Sequence, residues 1–413
     1  MTHTGDRHHA GFKERTRVAD ARDALRDAVD AHGRTERAPL TEADGRTLAA
    51  TVTAERNVPH YDRAAMDGYA VRAEDTFGAS DRSPAVLDRY EADEDATVGP
   101  GEAVRVHTGS ALPEGADAVV MIEQVEEVGR EVEVFTALAE GKNVGDVGED
   151  VEAGQHLYDP GHRLRPSDLG MLRSVGVDEV EVYQPPEVAV IPTGEELVEA
   201  GETPDPGEVV ETNGLTVSRF VERWGGEARY RDVVTDDEDK LREALERDRD
   251  ADVLVTTGGS SVGERDLIPE VVDELGEVLV HGVALKPGHP VALGVVDGTP
   301  VVMLPGYPVA CIINAVQFLR PALKWAGGMS VPDFPSTQAT LTRKIPSEPG
   351  VRTFARVQVS EEEGETVAEP VRTSGSGILS SVALADGWVQ VPEESEGIAE
   401  GKTVTVEKWE ELP

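Results

Sequence analysis

The stretch VLVTTGGSSVGERDLIPEVVDEL, residues 253–275, decides how this chain is read. A run rich in β-branched residues stops at two glycines and two serines, and apolar residues at helical spacing follow at once. That order of residue types specifies a buried strand, a tight turn and a helix. In open α/β sheets ligands bind beyond the carboxyl ends of the strands. Glycine there lets backbone N–H groups approach an anion, and the following helix adds a favourable partial charge. Gly258, Gly259, Ser260 and Ser261 are therefore candidate binding residues.

The same rhythm extends to both sides. EVAVIPTGEEL (187–197) reads as strand and turn, LTVSRFVERWGGE (215–227) as helix, ARYRDVV (228–234) as strand and DEDKLREALERDRD (237–250) as helix. VLVHGVALK (278–286), PVALGVV (290–296) and PVVMLPG (300–306) read as strands, and PVACIINAVQFLRPALKWAGG (308–328) as one long helix. Strands alternating with helices predict a mostly parallel α/β sheet covered on both faces. Its expected limits are residues 184–328, opening at the linker Gln184-Pro185-Pro186. Two further strand ends close in polar or Pro-Gly turns, Thr193-Gly194-Glu195-Glu196 and Leu304-Pro305-Gly306-Tyr307-Pro308. No turn among the three has the spacing of a Walker A loop or of G-x-G-x-x-G.

Outside this region the pattern changes. Residues 1–16 read as a disordered tail. Residues 17–55 and 141–183 are expected to form one discontinuous N-terminal lobe, with two short helices before residue 50, the second N-capped by Thr41. Residues 56–140 alternate apolar and polar and predict an inserted β domain. Residues 329–413 alternate again and predict a C-terminal β-barrel or sandwich. The fold class is thus multidomain α/β and β.

Composition excludes whole classes of partner. The chain has 413 residues and a net charge of −41, from 80 acids against 39 bases spread along its length. Nucleic acid and anionic lipid repel such a surface, so neither is an expected partner. At molar salt the Debye length is about 3 Å, so this self-repulsion is screened and the acidic surface suits a salt-rich solution. No run approaches the roughly 20 apolar residues of a membrane helix, and the N-terminus has no secretory h-region, so the expected location is the cytoplasm. Cys311 is the single cysteine and sits in an apolar helical face, which makes it a core residue.

Glu196, Asp236 and Asp266 all fall at strand ends of the predicted sheet. Carboxylates beside an anion-binding rim are what Mg²⁺ requires, since it takes oxygen ligands and shares them with phosphate. Lys286 stands in the stiff turn Lys286-Pro287-Gly288-His289-Pro290, and a fixed cation with a histidine can hold an oxyanion. Arg352, Arg356, Ser374 and Ser376 can add donors, and Asp67 in MDGYA reads equally as structural or catalytic.

Several long segments together resemble one family. AAMDGYAVR (64–72), HTGSALPEGADAVVMIEQ (107–124), NVGDVGEDVEAG (143–154), TTGGSSVGERD (256–266), LKPGHP (285–290), LPGYPVA (304–310) and SGSGILSSVALADGWVQVP (374–392) resemble the MoeA family of molybdopterin molybdenumtransferases, similar to the E domain of gephyrin. The resemblance implies the last step of molybdenum cofactor synthesis: molybdate enters adenylated molybdopterin and AMP leaves, with a divalent cation such as Mg²⁺. It also implies a homodimer whose active site joins the α/β domain of one copy to the N-terminal lobes of the other, and a transient contact with the molybdopterin adenylyltransferase. The family's functional acids fall on Asp67, Asp150, Glu196, Asp236 and Asp266, with Asp236 and Asp266 as metal ligands. Thr108 matches a family threonine, and the glycine-serine turn matches a pterin-binding loop shared with the adenylyltransferase. Lys286, Arg352 or Arg356, and Ser376 fall near the proposed molybdate pocket.

Two departures stand out. His289 replaces the second lysine of the usual KPGKP, and Tyr307 replaces a common asparagine. A histidine titrating near neutrality predicts that metal insertion weakens as pH rises from 6 to 8. Two other functions share parts of the pattern: adenylation of molybdopterin, by an enzyme about the size of residues 185–328 alone, and non-catalytic pterin binding by a scaffold.

Overall fold

The computed structural model describes residues 15–91, 96–258, 267–372 and 377–411. The chain divides into two compact units: Arg37–Val182 forms one, and the chain before and after it forms the other.

The second unit begins with helix α1 (Val18–Asp27), whose Val18, Ala21 and Leu25 are buried. In the Arg37–Val182 unit, strands β1 (Gly68–Val71), β2 (Ala85–Tyr90), β3 (Glu102–Val106), β4 (Ala118–Met121), β5 (Val125–Val128) and β6 (Glu131–Val134) form one sheet in the order β4-β1-β3-β2-β6-β5. Its core is Tyr69, Val71, Leu87, Val120, Val132 and Val134. A separate core joins Leu40, Leu48 and Ala54 to Val151, Leu164 and Leu172, the last on helix α2 (Pro166–Ser174). The helix expected after Thr41 is a single 3-10 turn, Leu40–Glu42, with Pro39 at its N-cap. Tertiary pairing stops it: Gly45 turns the chain with φ +74° and donates to Leu164 O.

The other unit carries the α/β sheet. Its strands are β7 (Glu187–Pro192), β8 (Glu227–Tyr230), β9 (Val253–Thr257), β10 (Gly276–His281), β12 (Ala292–Val296) and β13 (Thr299–Leu304), with the two-residue β11 (Leu285–Lys286) between β10 and β12 in the chain. The order is β8-β7-β9-β13-β12-β10. The first four strands are parallel, and β12 pairs antiparallel with β13 on one side and β10 on the other. Period-two alternation sends Val188, Val190, Val253, Val255 and Val302 to one face, against α1, α3 (Asn213–Arg223) and the helix after β13. Ala189, Ile191, Leu254 and Met303 face α4 (Glu238–Arg247) and α5 (Leu267–Leu275). Each such fully buried Val or Leu contributes about 1.5–3 kcal/mol.

The long helix predicted over 308–328 is interrupted. It runs as α6 (Pro308–Asn314), a π-helical turn Ala315–Leu319, and α7 (Arg320–Ala326). Pro321 has no N–H to give the carbonyl four residues back, so the regular ladder cannot pass it. The freed Gln317 O accepts instead from Arg22 Nε of α1 at 3.0 Å.

The C-terminal strands are β14 (Ser336–Leu341), β15 (Arg352–Glu362), β16 (Glu365–Arg372), β17 (Gly387–Val391) and β18 (Thr403–Glu407). They pair β15-β16-β14-β18-β17 and close back from β17 to β15 as a five-stranded barrel. Ala355, Val357, Val389, Val391, Val404 and Val406 fill it. Phe354 and Trp388 belong to the α/β core instead. β11 pairs with β15, so Lys286 rides on the barrel rather than in the α/β sheet.

Candidate functional site

Three strand ends meet at the carboxyl edge of the α/β sheet. Gly258 N donates to Leu304 O at 3.1 Å, which ties the turn after β9 to the turn after β13. Gly258 has φ +150°, and a β-carbon there would lie 1.9 Å from Thr193 O. Only glycine permits that approach. The Pro192-Thr193 end of β7, the Gly258 turn and the Pro305-Gly306 turn are therefore neighbours, as the sequence predicts. Pro305 is buried and Gly306 exposed. The hydroxyls of Thr193, Thr256 and Thr257 are buried there with no hydrogen-bond partner among the described residues. Gly259, Ser260, Ser261, Asp266 and Ser376 lie outside the described residues.

The structure brings Glu196 and Asp236 together on this rim. Thr193 bridges Val234, which carries Asp236 to the end of β7. The Glu196 carboxylate folds back over Gly194, within 2.8 Å of where a β-carbon would stand. Burial raises the Asp236 carboxyl above its ordinary value, the Glu195 backbone N–H opposes this, and the Glu196 charge raises it further. Asp237 does something else: it caps α4 by accepting from Lys240 N at 3.1 Å. Among the described residues no three His, Cys, Asp or Glu side chains gather as a metal site. Two carboxylates that destabilise each other still form a donor set that suits Mg²⁺, whose remaining ligands come from water or phosphate.

The cations form a second group. Gly288, at φ +114°, lets Asn314 Nδ2 approach within 2.2 Å of its missing β-carbon, and Asn314 donates to Gly288 O at 2.9 Å. This buried asparagine of α6 pins the Lys286–His289 turn. Lys286 Nζ lies 2.6 Å from Glu348 Oε1, and Arg352 Nη2 lies 3.0 Å from Glu393 Oε2. Arg356 differs. It is 1% exposed, donates only from Nη1 to Phe354 O at 3.2 Å, and leaves Nε and Nη2 without partners. Burial pulls its guanidinium down from the ordinary arginine value. Among the described residues no acid pairs with it, and a buried guanidinium is costly unless an anion compensates.

His289 does not titrate where the sequence suggests. Burial lowers its imidazole, and Arg15 and Lys286 lower it further. Burial and the two neighbouring cations favour the neutral ring, so its contribution to any pH dependence is shifted below the ordinary histidine range.

Asp67 and Thr108 meet in the Arg37–Val182 unit. Asp67 Oδ1 accepts from Thr108 N at 2.7 Å and from Thr108 Oγ1 at 2.8 Å. His107 Nδ1 stands 3.9 Å from Asp67 Oδ2. The Thr108 donors hold the exposed Asp67 carboxyl below its ordinary value, helped by His107 and Arg105. Asp150 lies in an exposed turn, where its backbone N–H donates to Val58 O.

Sequence reasoning missed several residues that shape these groups. Asn213 Nδ2 donates to Gly306 O at 2.7 Å and holds the β13 turn against the start of α3. Asn314, Glu348 and Glu393 were equally unmarked. A lone Asn inside an apolar helix is a legible signal, because a buried amide needs partners. An acid in so acidic a chain is not.

Comparison with known proteins gives a consistent set of matches. Residues 16–176 match the MoeA N-terminal region (domain I and II), residues 189–325 the "Probable molybdopterin binding domain", and residues 338–409 the MoeA C-terminal region (domain IV). A molybdopterin biosynthesis protein of Methanocaldococcus jannaschii is 37% identical over 391 residues, covering 92% of this chain and 94% of its own. The molybdopterin molybdenumtransferase of Bacillus subtilis is 33% identical over 388 residues, covering 91% and 90%. The crystal structure of the molybdopterin biosynthesis moeA protein from Pyrococcus horikoshii OT3 superposes with a TM-score of 0.82 at 34% identity, over 95% of this chain and 100% of that one.

Proposed function

The chain belongs to the MoeA family, and on that premise we propose how its own residues serve the insertion of molybdate into adenylated molybdopterin with release of AMP. It is an enzyme of molybdenum cofactor biosynthesis. The observation that carries the assignment of roles is the meeting of three strand ends with the Glu196–Asp236 pair on one rim.

The rim binds the pterin phosphate and the adenylate. Backbone N–H groups near Gly258 and the hydroxyls of Thr193 and Thr257 are the donors, and the Asn213 contact keeps Gly306 from closing the turn. Asp236 and Glu196, with Asp266 from its family position, would hold Mg²⁺. When bound, the ion neutralises charge that develops on the departing AMP phosphate. Asp236 has a raised carboxyl beside a second acid, so a cation relieves its own repulsion as well as the substrate's.

Arg356 is a stronger oxyanion ligand than Arg352, because Arg352 already has Glu393 as its counter-ion. Lys286 completes that group, and Ser376 is assigned to it from family position alone. Thr108 orients Asp67 in the other unit, where Asp67 acts as a permanent anion. Asp150 is assigned the same supporting role from family position. The protein is proposed to act as a homodimer in the cytoplasm and to receive its substrate through a transient contact with the adenylyltransferase.

The test is turnover with adenylated molybdopterin, Mg²⁺ and either molybdate or tungstate. AMP release together with active cofactor is expected. Formation of the adenylate from ATP, or tight pterin binding without AMP release, overturns the reading. Light scattering of the purified protein checks the dimer, and a monomer mass removes it.

A further inference from the structure

Lys286 and Arg352, two half-buried cations of this region, carry counter-ions of different character. Arg352 is paired with Glu393, whose side chain is only 11% exposed. Glu393 cannot swing into solvent without leaving a buried site, so that pair is fixed. Lys286 is paired with Glu348, and these side chains are 40% and 65% exposed. An ion pair open to water at both ends is weak and exchangeable. Glu348 is nonetheless held near Lys286 by its backbone. Glu348 O accepts from Val351 N at 3.2 Å, and Gly350 N donates to Glu393 O at 2.7 Å. Ser347 Oγ pairs with Thr353 Oγ1 at 2.8 Å, and Thr353 stands opposite Lys286 in the β11–β15 ladder. The loop is thus anchored on the strand pair that carries Lys286, and only the side chain of Glu348 is free to move. Arg15 also acts electrostatically on Glu348 and on His289.

We propose that Glu348 is a displaceable internal counter-ion of the Lys286 pocket, which keeps the cation occupied until a metal oxyanion takes its place. This rests on Lys286 being an oxyanion ligand. A tethered carboxylate competes at a high local concentration whatever the solution contains. Chloride carries one charge and forms no fork of hydrogen bonds, so it gains little by displacing a carboxylate. A tetrahedral dianion gains more, from twice the charge and several acceptor oxygens. Glu348 therefore lowers affinity for every anion, and it keeps the pocket from filling with chloride. It sets how tightly and how chloride-sensitively the site takes an anion, and it is not a catalytic residue. It moves KM for molybdate and leaves kcat alone.

The experiment compares wild type, Glu348→Gln and Glu348→Asp, with Glu369→Gln as a control. Glu369 pairs with Arg343 at 3.1 Å with similar exposure, 59% against 60%. KM and kcat for molybdate are measured at low and at molar chloride. An exposed ion pair limits the release to about fivefold, so E348Q is expected to lower KM about two- to fivefold at low chloride. At molar chloride, where chloride fills the site freed of Glu348, its advantage is expected to vanish. E348D is expected to restore part of the wild-type chloride tolerance, and E369Q to behave as wild type. An unchanged KM in E348Q at both salts, or a loss confined to kcat, overturns the proposal. Wild-type protein that releases no AMP with molybdate overturns the underlying function instead. A K286Q variant with wild-type KM shows that Lys286 is not the ligand, and that too removes the proposal.

Discussion

Asp67 and Asp236 are the same side chain placed in opposite circumstances. Asp67 is exposed and takes two hydrogen bonds from Thr108, and its carboxyl is lowered. Asp236 is half-buried beside Glu196, and its carboxyl is raised. Hydrogen bonds that favour the anion make Asp67 a permanent charge. Desolvation and a like charge make Asp236 a group that gains by meeting a cation or a proton. The two aspartates are indistinguishable as letters in the sequence. Their neighbours hold one as an anion and make the ionised form of the other costly.

The largest expected effect breaks this comparison at Asp236. Asp236→Asn is expected to lower the rate of AMP release about 10²–10³-fold while pterin binding, followed by fluorescence titration, stays near wild type. Asp67→Asn keeps an acceptor oxygen for Thr108 and is expected to cost less. Equal losses in both variants sink the distinction.

A backbone test comes next. Gly258→Ala puts a methyl group 1.9 Å from Thr193 O, while Gly109 at φ +86° has nothing within 4 Å of the corresponding position. Gly258→Ala is expected to destabilise by about 3 kcal/mol or more, and Gly109→Ala by about 1 kcal/mol. Denaturant unfolding measures both, and similar midpoints contradict the close approach at the rim.

The pH dependence separates the acids further. Asp67 has a folded value below the ordinary 3.8. Its contribution to stability is present above that value and is lost as pH falls through the lowered one, so Asp67→Asn is expected to blunt acid unfolding below about pH 4. Asp236 has a folded value above 3.8, so its ionised form costs the fold something at neutral pH and that cost disappears on acidification. The acid limb of AMP release is accordingly expected above pH 3.8 in wild type and at lower pH in Glu196→Gln. A limb that does not move with Glu196→Gln argues against the coupling.

The smallest effect concerns His289. With its imidazole lowered, KM for molybdate is expected to stay flat from pH 6 to 8. His289→Lys restores a charge and is expected to lower KM up to about fivefold. A KM that climbs with pH in wild type returns His289 to the charged state.

Much of the α/β sheet was legible because burial on both faces leaves a plain record. Val253 and Val255 face one layer and Leu254 the other, and glycine follows the ends of β7, β9 and β13. The interrupted long helix was less legible. Pro321 gives the warning, but Arg22 completes the turn from almost the far end of the chain. Of the candidate site, the residue types and the order of the turns were readable, as was the family.

The sequence by itself determined the local elements, the acidic surface and which side chains have the chemistry to hold an anion or a cation. Period-two and helical spacing, glycine and proline are local properties, and they act wherever the chain goes. Only the tertiary structure decided which acid faces which base. It paired Lys286 with Glu348, buried Arg356 with no carboxylate partner among the described residues, and set Asp236 beside Glu196. Charge state and ligand strength depend on neighbours within a few ångströms, and those neighbours come from segments that sequence order alone does not bring together.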